Sequence, residues 1–288
     1  MQNFQKDFER YLLQNLPHTQ SFHPHFNEAL AWVLKAGGKH FRAKLVLGVA
    51  EAFGSPFLKE AYDIALAVEF LHAYSLIHDD LPAMDNSPLR RGVATLHIKF
   101  DETTAILAGD ALNTEAFRRI SVANLPSKIA VKCVEILATN GGLQGMVIGQ
   151  AIDCFFENKR LSLEELSFLH SKKTGALIAA SMQLGGVLAC LSSQTNAKIY
   201  DIGVKLGLAF QIHDDLLDAT QDETSVGKPV LHDSNKNSFT NLLGIEEARA
   251  KRDELICQML SEAESDAELK PLFAILQELC EKYLTERK

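Results

Sequence analysis

Residues 61–85 read AYDIALAVEFLHAYSLIHDDLPAMD, and their spacing decides the fold. Ala61, Ile64, Ala65, Ala67, Val68 and Leu71 recur at helical intervals, and Ser75 and His78 continue the period into a cluster of aspartates. Helical spacing recurs almost everywhere else, whereas period-two alternation of strand length is hard to find. Segments 177–191 and 202–212 are apolar on nearly all sides, so they belong inside a large bundle, with Gly185, Gly186, Gly203 and Gly207 allowing close helix approach. All eight prolines fit helix boundaries or loops. The expectation is an all-α bundle of roughly ten or more helices, with no repeat of solenoid period.

With 288 residues, 47% of them hydrophobic, the chain can bury a substantial core. No Gly, Ser or Pro-rich linker and no single-sign charge block divides it, so residues 1–288 read as one domain. The formal charge of -8 argues against nonspecific nucleic-acid binding, and any phosphate site has to be a local basic cluster. Cys133, Cys154, Cys190, Cys257 and Cys280 have no paired short spacing and read as reduced core thiols. The first residues lack a basic stretch followed by an apolar one, and no later run has the length of a membrane span, so a cytoplasmic protein without membrane insertion is expected.

Two acidic segments carry the chemistry. Asp214 and Asp218 are four apart, so on a regular helix they differ by about 40° and project from one face. Asp79 and Asp85 would point about 120° apart on an unbroken helix. Pro82 resolves this, because the helix has to bulge or end there and Asp85 can swing back toward Asp79. Carboxylates without His or Cys partners favour a hard cation that shares its coordination with substrate phosphates, which describes magnesium better than zinc. An isolated acidic run is usually a solvated helix end. Two runs, each after a strongly apolar helix, are costly unless a cation neutralises them.

Basic residues accompany both segments. Gly37 and Gly38 terminate an amphipathic helix ending at Ala36 and present Lys39 and Arg42 from the turn. Arg90 and Arg91 follow the first acidic segment, and Lys173, Thr174 and Lys228 fall where loops meet helices.

The ordered set Gly37-Gly38-Lys39-x-x-Arg42, His72-Ala73-Tyr74-Ser75-Leu76-Ile77-His78-Asp79-Asp80, Arg90-Arg91-Gly92, Lys173-Thr174-Gly175, Phe210-Gln211-x-x-Asp214-Asp215-x-x-Asp218 and Gly227-Lys228-Pro229 resembles the trans-prenyl diphosphate synthases, most closely their bacterial farnesyl-producing members. The resemblance runs from about Phe26 onward. It implies a homodimeric all-α bundle around a central cavity, acting on isoprenoid diphosphates with several magnesium ions. It further implies Asp79, Asp85 and Asp214 as metal ligands, with Asp80, Asp215 and Asp218 as further ligands or their supports. Lys39, Arg42, His72 and Arg91 match the isopentenyl diphosphate group, and Arg90, Lys173, Thr174, Gln211 and Lys228 the allylic group. Many relatives carry Arg and Pro where this chain has His40 and Ala43, and more Asp where it has Asn86, Ser87 and Pro88.

The implied reaction is head-to-tail alkylation: the allylic diphosphate ionises, the isopentenyl double bond attacks the cation, and a proton leaves. Lys173, Lys228 and Arg90 assist the departing diphosphate. Tyr74 and Ser75 lie about 6 to 8 Å down the helix from Asp79, where a bulky ring stops elongation near fifteen carbons in the family. Geranyl and geranylgeranyl products are the alternatives. A terpene cyclase or a noncatalytic helical subunit fits less well, because both acidic segments and the basic set are intact.

Overall fold

A computed structural model describes residues 2–220 and 237–285. The chain groups into two compact units, Met1–Leu47 with Lys59–Val134, and Gly48–Leu58 with Glu135–Lys288. Among the described residues the architecture is helical, as the apolar periodicity requires, and the strands are two residues each in a single hairpin.

The first unit holds α1 (Gln2–Gln14), α2 (Phe26–Lys35), the start of α3 (Phe41–Ala52), α4 (Ala61–Asp79), a hairpin of β1 (Leu89–Arg90) and β2 (Val93–Ala94), α5 (Leu96–Lys99) and α6 (Glu102–Val122). Its centre is α4 against α6. Ile64, Leu66, Val68 and Phe70 are buried around several sides of α4, because an apolar helix without a polar face has to be enclosed. Phe8 and Leu12 bury one face of α1, and Tyr11 donates to Asp63 at 2.6 Å while Arg119 binds both. Asp101 caps α6 by accepting the Thr104 amide at 2.7 Å.

Helix α7 (Ser127–Gly141) follows, and in the second unit α8 (Met146–Phe155) precedes α9 (Leu163–His170), which opens with a Ser162/Glu165 capping box. A π-helical turn, Ser171–Gly175, joins α9 to α10 (Ala176–Leu188), and α10 packs on the 28-residue α11 (Ser193–Thr220). A Cβ on Gly203 would sit 2.5 Å from the Ala179 Cα, so the close approach expected of this glycine is realised. The helices Ile245–Ser265 and Lys270–Tyr283 complete the unit, the latter with Pro271 in its first turn.

The cysteines depart from expectation. Cys133 and Cys280 are buried, and burial pushes both thiols up to about 12, but Cys154, Cys190 and Cys257 are exposed. Cys154 and Cys257 face solvent from their helices and Cys190 sits at φ 58° in a turn, which spacing in sequence does not reveal.

Candidate active site

The helical ladder of α4 fails where Pro82 makes it fail, though earlier than the proline itself. Pro82 has no N–H for the His78 carbonyl, and that oxygen accepts from Leu81 at 3.1 Å instead. The α-helix therefore ends at Asp79. The chain then folds back: the Asp85 amide donates to the Asp79 carbonyl at 2.9 Å, and Asn86 makes the turn at φ 46°. Asparagine tolerates this left-handed conformation, so the departure at position 86 suits the backbone. Asp79 is partly buried, Asp80 is 4% exposed and Asp85 is exposed.

The hairpin gives two consecutive arginines different tasks. Arg91 and Gly92 form its two-residue turn, both with positive φ, and Arg90 pairs with Val93 beside it. Arg90 grips Asp80 through Nε at 2.8 and 2.9 Å and through a terminal nitrogen at 2.7 Å, and stands 3.7 Å from Asp79. Burial disfavours the Arg90 cation, yet the Asp80 hydrogen bonds and the charges of Asp80, Asp79 and Asp85 more than offset it and raise its pKa. Removing one partner of such a buried pair costs on the order of 3 kcal/mol, so Asp80 and Arg90 hold the acidic segment together. Arg91 instead donates to the Gly37 carbonyl. Its guanidinium fills the space of the missing Gly38 side chain, where a Cβ would lie 2.7 Å from a terminal nitrogen.

Gly37 ends α2 at φ 74°, as its position predicts, and Lys39 follows on the exposed turn. Arg42 differs from expectation: it lies in the first turn of α3 rather than in the loop, because the helix restarts at Phe41. There it donates to His72 Nε2 at 3.3 Å, which leaves that nitrogen without a proton. Burial first, then the charges of Arg42, Arg91, Arg90 and His40, hold the His72 pKa well below 6.5. Burial and the nearby Arg90 charge lower Arg91, with Glu69 opposing. Arg42, His72 and Arg91 thus share a positive field that an anion relieves, within a chain of net charge -8.

This field has a pH consequence. A depressed histidine pKa means that the unfolded chain takes the proton first, so the His72 contribution costs stability as pH falls below about 6.5. The thermal midpoint should drop between pH 7.5 and 5.5, and His72→Gln should drop less over the same interval. Equal slopes overturn this assignment.

Tyr74 is half-buried and its ring meets His78 edge-on, with centroids 5.3 Å apart. His78 Nε2 donates to the Ile106 carbonyl at 3.0 Å, and Gly109 leaves room for its ring. Ser75 returns its hydroxyl to the His72 carbonyl at 2.8 Å.

In the second unit α11 runs unbroken through Asp214, Asp215 and Asp218, so the regular helix face expected there is present. Asp214 is partly buried and Asp218 exposed, while Asp215 is buried. Asp215 accepts from Gln211 at 3.0 Å and from the Phe239 amide at 2.8 Å, and Thr174 donates to the Gln211 oxygen at 2.8 Å. Thr174, Gln211 and Asp215 are therefore one relay. Lys173 and Thr174 were expected at a loop; they lie in the π-helical turn instead, inside a continuous helical run. The extra residue of such a turn rotates side chains off the ordinary helix face. Lys173 donates to Asp153 at 2.5 Å. Asp153 was missed in the sequence, since one acidic residue on an amphipathic helix carries no signal. Gly149, on the same helix as Asp153, lets the π-helical turn approach, since a Cβ there would meet the Lys173 backbone at 2.2 Å. Lys228 lies outside the described residues.

Among the described residues no three His, Cys, Asp or Glu side chains converge on one point to hold a metal by themselves. The donor set nevertheless suits a cation that completes its shell with phosphate oxygens. Asp79, Asp80 and Asp85 gather at the C-terminal end of α4, where the peptide dipoles already place negative charge, and Arg90 supplies a neutralising cation there.

The Polyprenyl synthetase family model matches residues 23–276. The chain is 39% identical over 270 residues to a farnesyl diphosphate synthase of Haemophilus influenzae, covering 92% of this chain and 91% of that one. It is also 39% identical over 240 residues to a geranylgeranyl diphosphate synthase of Cyanophora paradoxa, covering 82% and 79%. A crystal structure of a geranyltransferase from Helicobacter pylori, complexed with magnesium and isoprenyl diphosphate, superposes with a TM-score of 0.89 at 45% identity over 98% of this chain and 94% of that one. The chain belongs to the polyprenyl synthetase family.

Proposed function

We propose that this protein condenses isopentenyl diphosphate with dimethylallyl or geranyl diphosphate, head to tail, and releases farnesyl diphosphate. The observation that carries the reading is the division of its cations. Arg42 donates to His72 and Arg91 to the Gly37 carbonyl, whereas Arg90 is bound to Asp80 and stands 3.7 Å from Asp79. Two anionic substrates need such separate groups.

Lys39, Arg42, His72 and Arg91 hold the isopentenyl diphosphate, and neutral His72 orients Arg42 toward it. Arg90, Lys173, Thr174, Gln211 and Lys228 serve the allylic diphosphate. Asp79, Asp85, Asp214 and Asp218 serve as magnesium ligands, while Asp80 and Asp215 support them through Arg90, Gln211 and the Phe239 amide. When bound, magnesium supplies charge neutralisation for the departing diphosphate. Lys173 and Arg90 add fixed positive charge as the allylic bond breaks, and the Thr174 and Gln211 dipoles stand beside Lys173. Apolar helix faces exclude water from the cation.

We further propose that residues 1–288 act as one synthase domain, in a homodimer and in the cytoplasm. Among the described residues no helix is long and apolar enough to cross a membrane.

Incubation of the purified protein with isopentenyl diphosphate, magnesium and either dimethylallyl or geranyl diphosphate should yield a fifteen-carbon product as the main species. A ten- or twenty-carbon main product revises the chain length. No consumption of isopentenyl diphosphate with either primer overturns the reading.

A further inference from the structure

His40 and Ala43, the two positions where this chain parts from many relatives, meet at one buried carboxylate. His40 stands at the start of α3, its carbonyl accepting the Lys44 amide at 3.0 Å, and holds the left-handed φ of 43° that non-glycine residues seldom adopt. A residue there ordinarily caps the helix with its own side-chain oxygen. His40 cannot, and its Nδ1 lies 3.1 Å from Glu69 Oε2. The other oxygen of Glu69 accepts the Ala43 amide at 3.2 Å. A carboxylate on α4 therefore caps α3, at the end where the helix dipole favours negative charge.

The assembly is enclosed. His40 and Glu69 are each 7% exposed, and the fully buried Phe8 of α1 meets the His40 ring edge-on at 5.3 Å. Burial raises the Glu69 pKa, but the His40 hydrogen bond and the His40 and Arg42 charges bring it below the ordinary value. Glu69 and His72 are three apart on α4, so one helix face holds the cap of α3 and the acceptor for Arg42. Proline at position 43 has no amide to donate to Glu69, so Ala43 and His40 are matched to each other through this carboxylate.

We infer that His40 is a positioning residue of the isopentenyl diphosphate subsite: held by Glu69 and Phe8, it fixes the turn that sets Lys39 and Arg42 in register. The inference rests on the function proposed above.

Two variants test it. His40→Gly keeps the left-handed turn without strain and removes the ring. His40→Asn also tolerates the turn and places an amide nitrogen where Nδ1 stands. His40→Gly should raise KM for isopentenyl diphosphate about tenfold, as expected for losing a buried charge-assisted contact, with KM for geranyl diphosphate within about twofold. His40→Asn should recover most of the difference. An unchanged isopentenyl KM in His40→Gly, or an equal rise for both substrates, overturns the inference. Should His40→Gly fail to fold, Ala43→Pro removes the amide that Glu69 accepts, in the first helical turn, at a position where many relatives carry proline. Its isopentenyl KM should rise selectively, and an unchanged value overturns the inference equally. Lack of turnover in the unmodified protein counts against the proposed function instead, so the two failures are distinguishable.

Discussion

Asp79→Ala and Asp214→Ala should each lower turnover by about 10² to 10³, the loss typical of deleting one preorganised stabiliser of developing charge. Asp79 terminates α4 and Asp214 projects from unbroken α11, and both are partly buried. Asp80, beside Asp79, binds Arg90 three ways, and Asp215, beside Asp214, binds Gln211 and the Phe239 amide. Loss of activity at Asp79 or Asp214 should come without collapse of the fold. Steady-state rates at saturating magnesium, read beside the thermal midpoint, provide the check. Rates near those of the unmodified protein sink the assignment of that carboxylate.

Tyr74→Ala should move the main product from fifteen carbons to twenty or more while the protein still turns over. The ring lies five residues before Asp79 on α4, about 7.5 Å along the axis, which is where, under the proposed function, a chain anchored by its diphosphate at the aspartates extends. The half-buried Tyr74 leans on His78, and His78 is anchored on α6 through the Ile106 carbonyl. Loss of the ring vacates volume without touching a diphosphate contact. Ser75 is a weaker stop, since its small side chain is turned back on its own helix. Product analysis by chain length decides the matter, and an unchanged profile places the limit elsewhere.

The helical class and both acidic segments were legible because they depend on local rules. Apolar period, proline position and four-residue spacing act within one or two turns of the chain, and they located the end of α4 to within three residues and the face of α11. The return of Asp85 to Asp79 could also be foreseen, because a missing amide at Pro82 is a covalent fact. Lys173 was harder to place. Its sequence looks like a helix boundary, and only the backbone shows a π-helical turn with Asp153 waiting on α8.

What the sequence determined by itself was which chemistry this chain carries: paired carboxylates, separated cations and apolar helices to enclose them. What only the tertiary structure decided was which groups from other elements stand opposite those charges. The resemblance leaves Asp80 and Asp215 as further ligands or their supports, and His40 and Ala43 only as departures from many relatives. A buried charge is defined by the group opposite it, and Arg90, the Phe239 amide and Glu69 come from other elements, at sequence distances of 10 to 29 residues. Local periodicity cannot encode such pairings, whereas the desolvation cost of an unpaired charge forces the fold to make them.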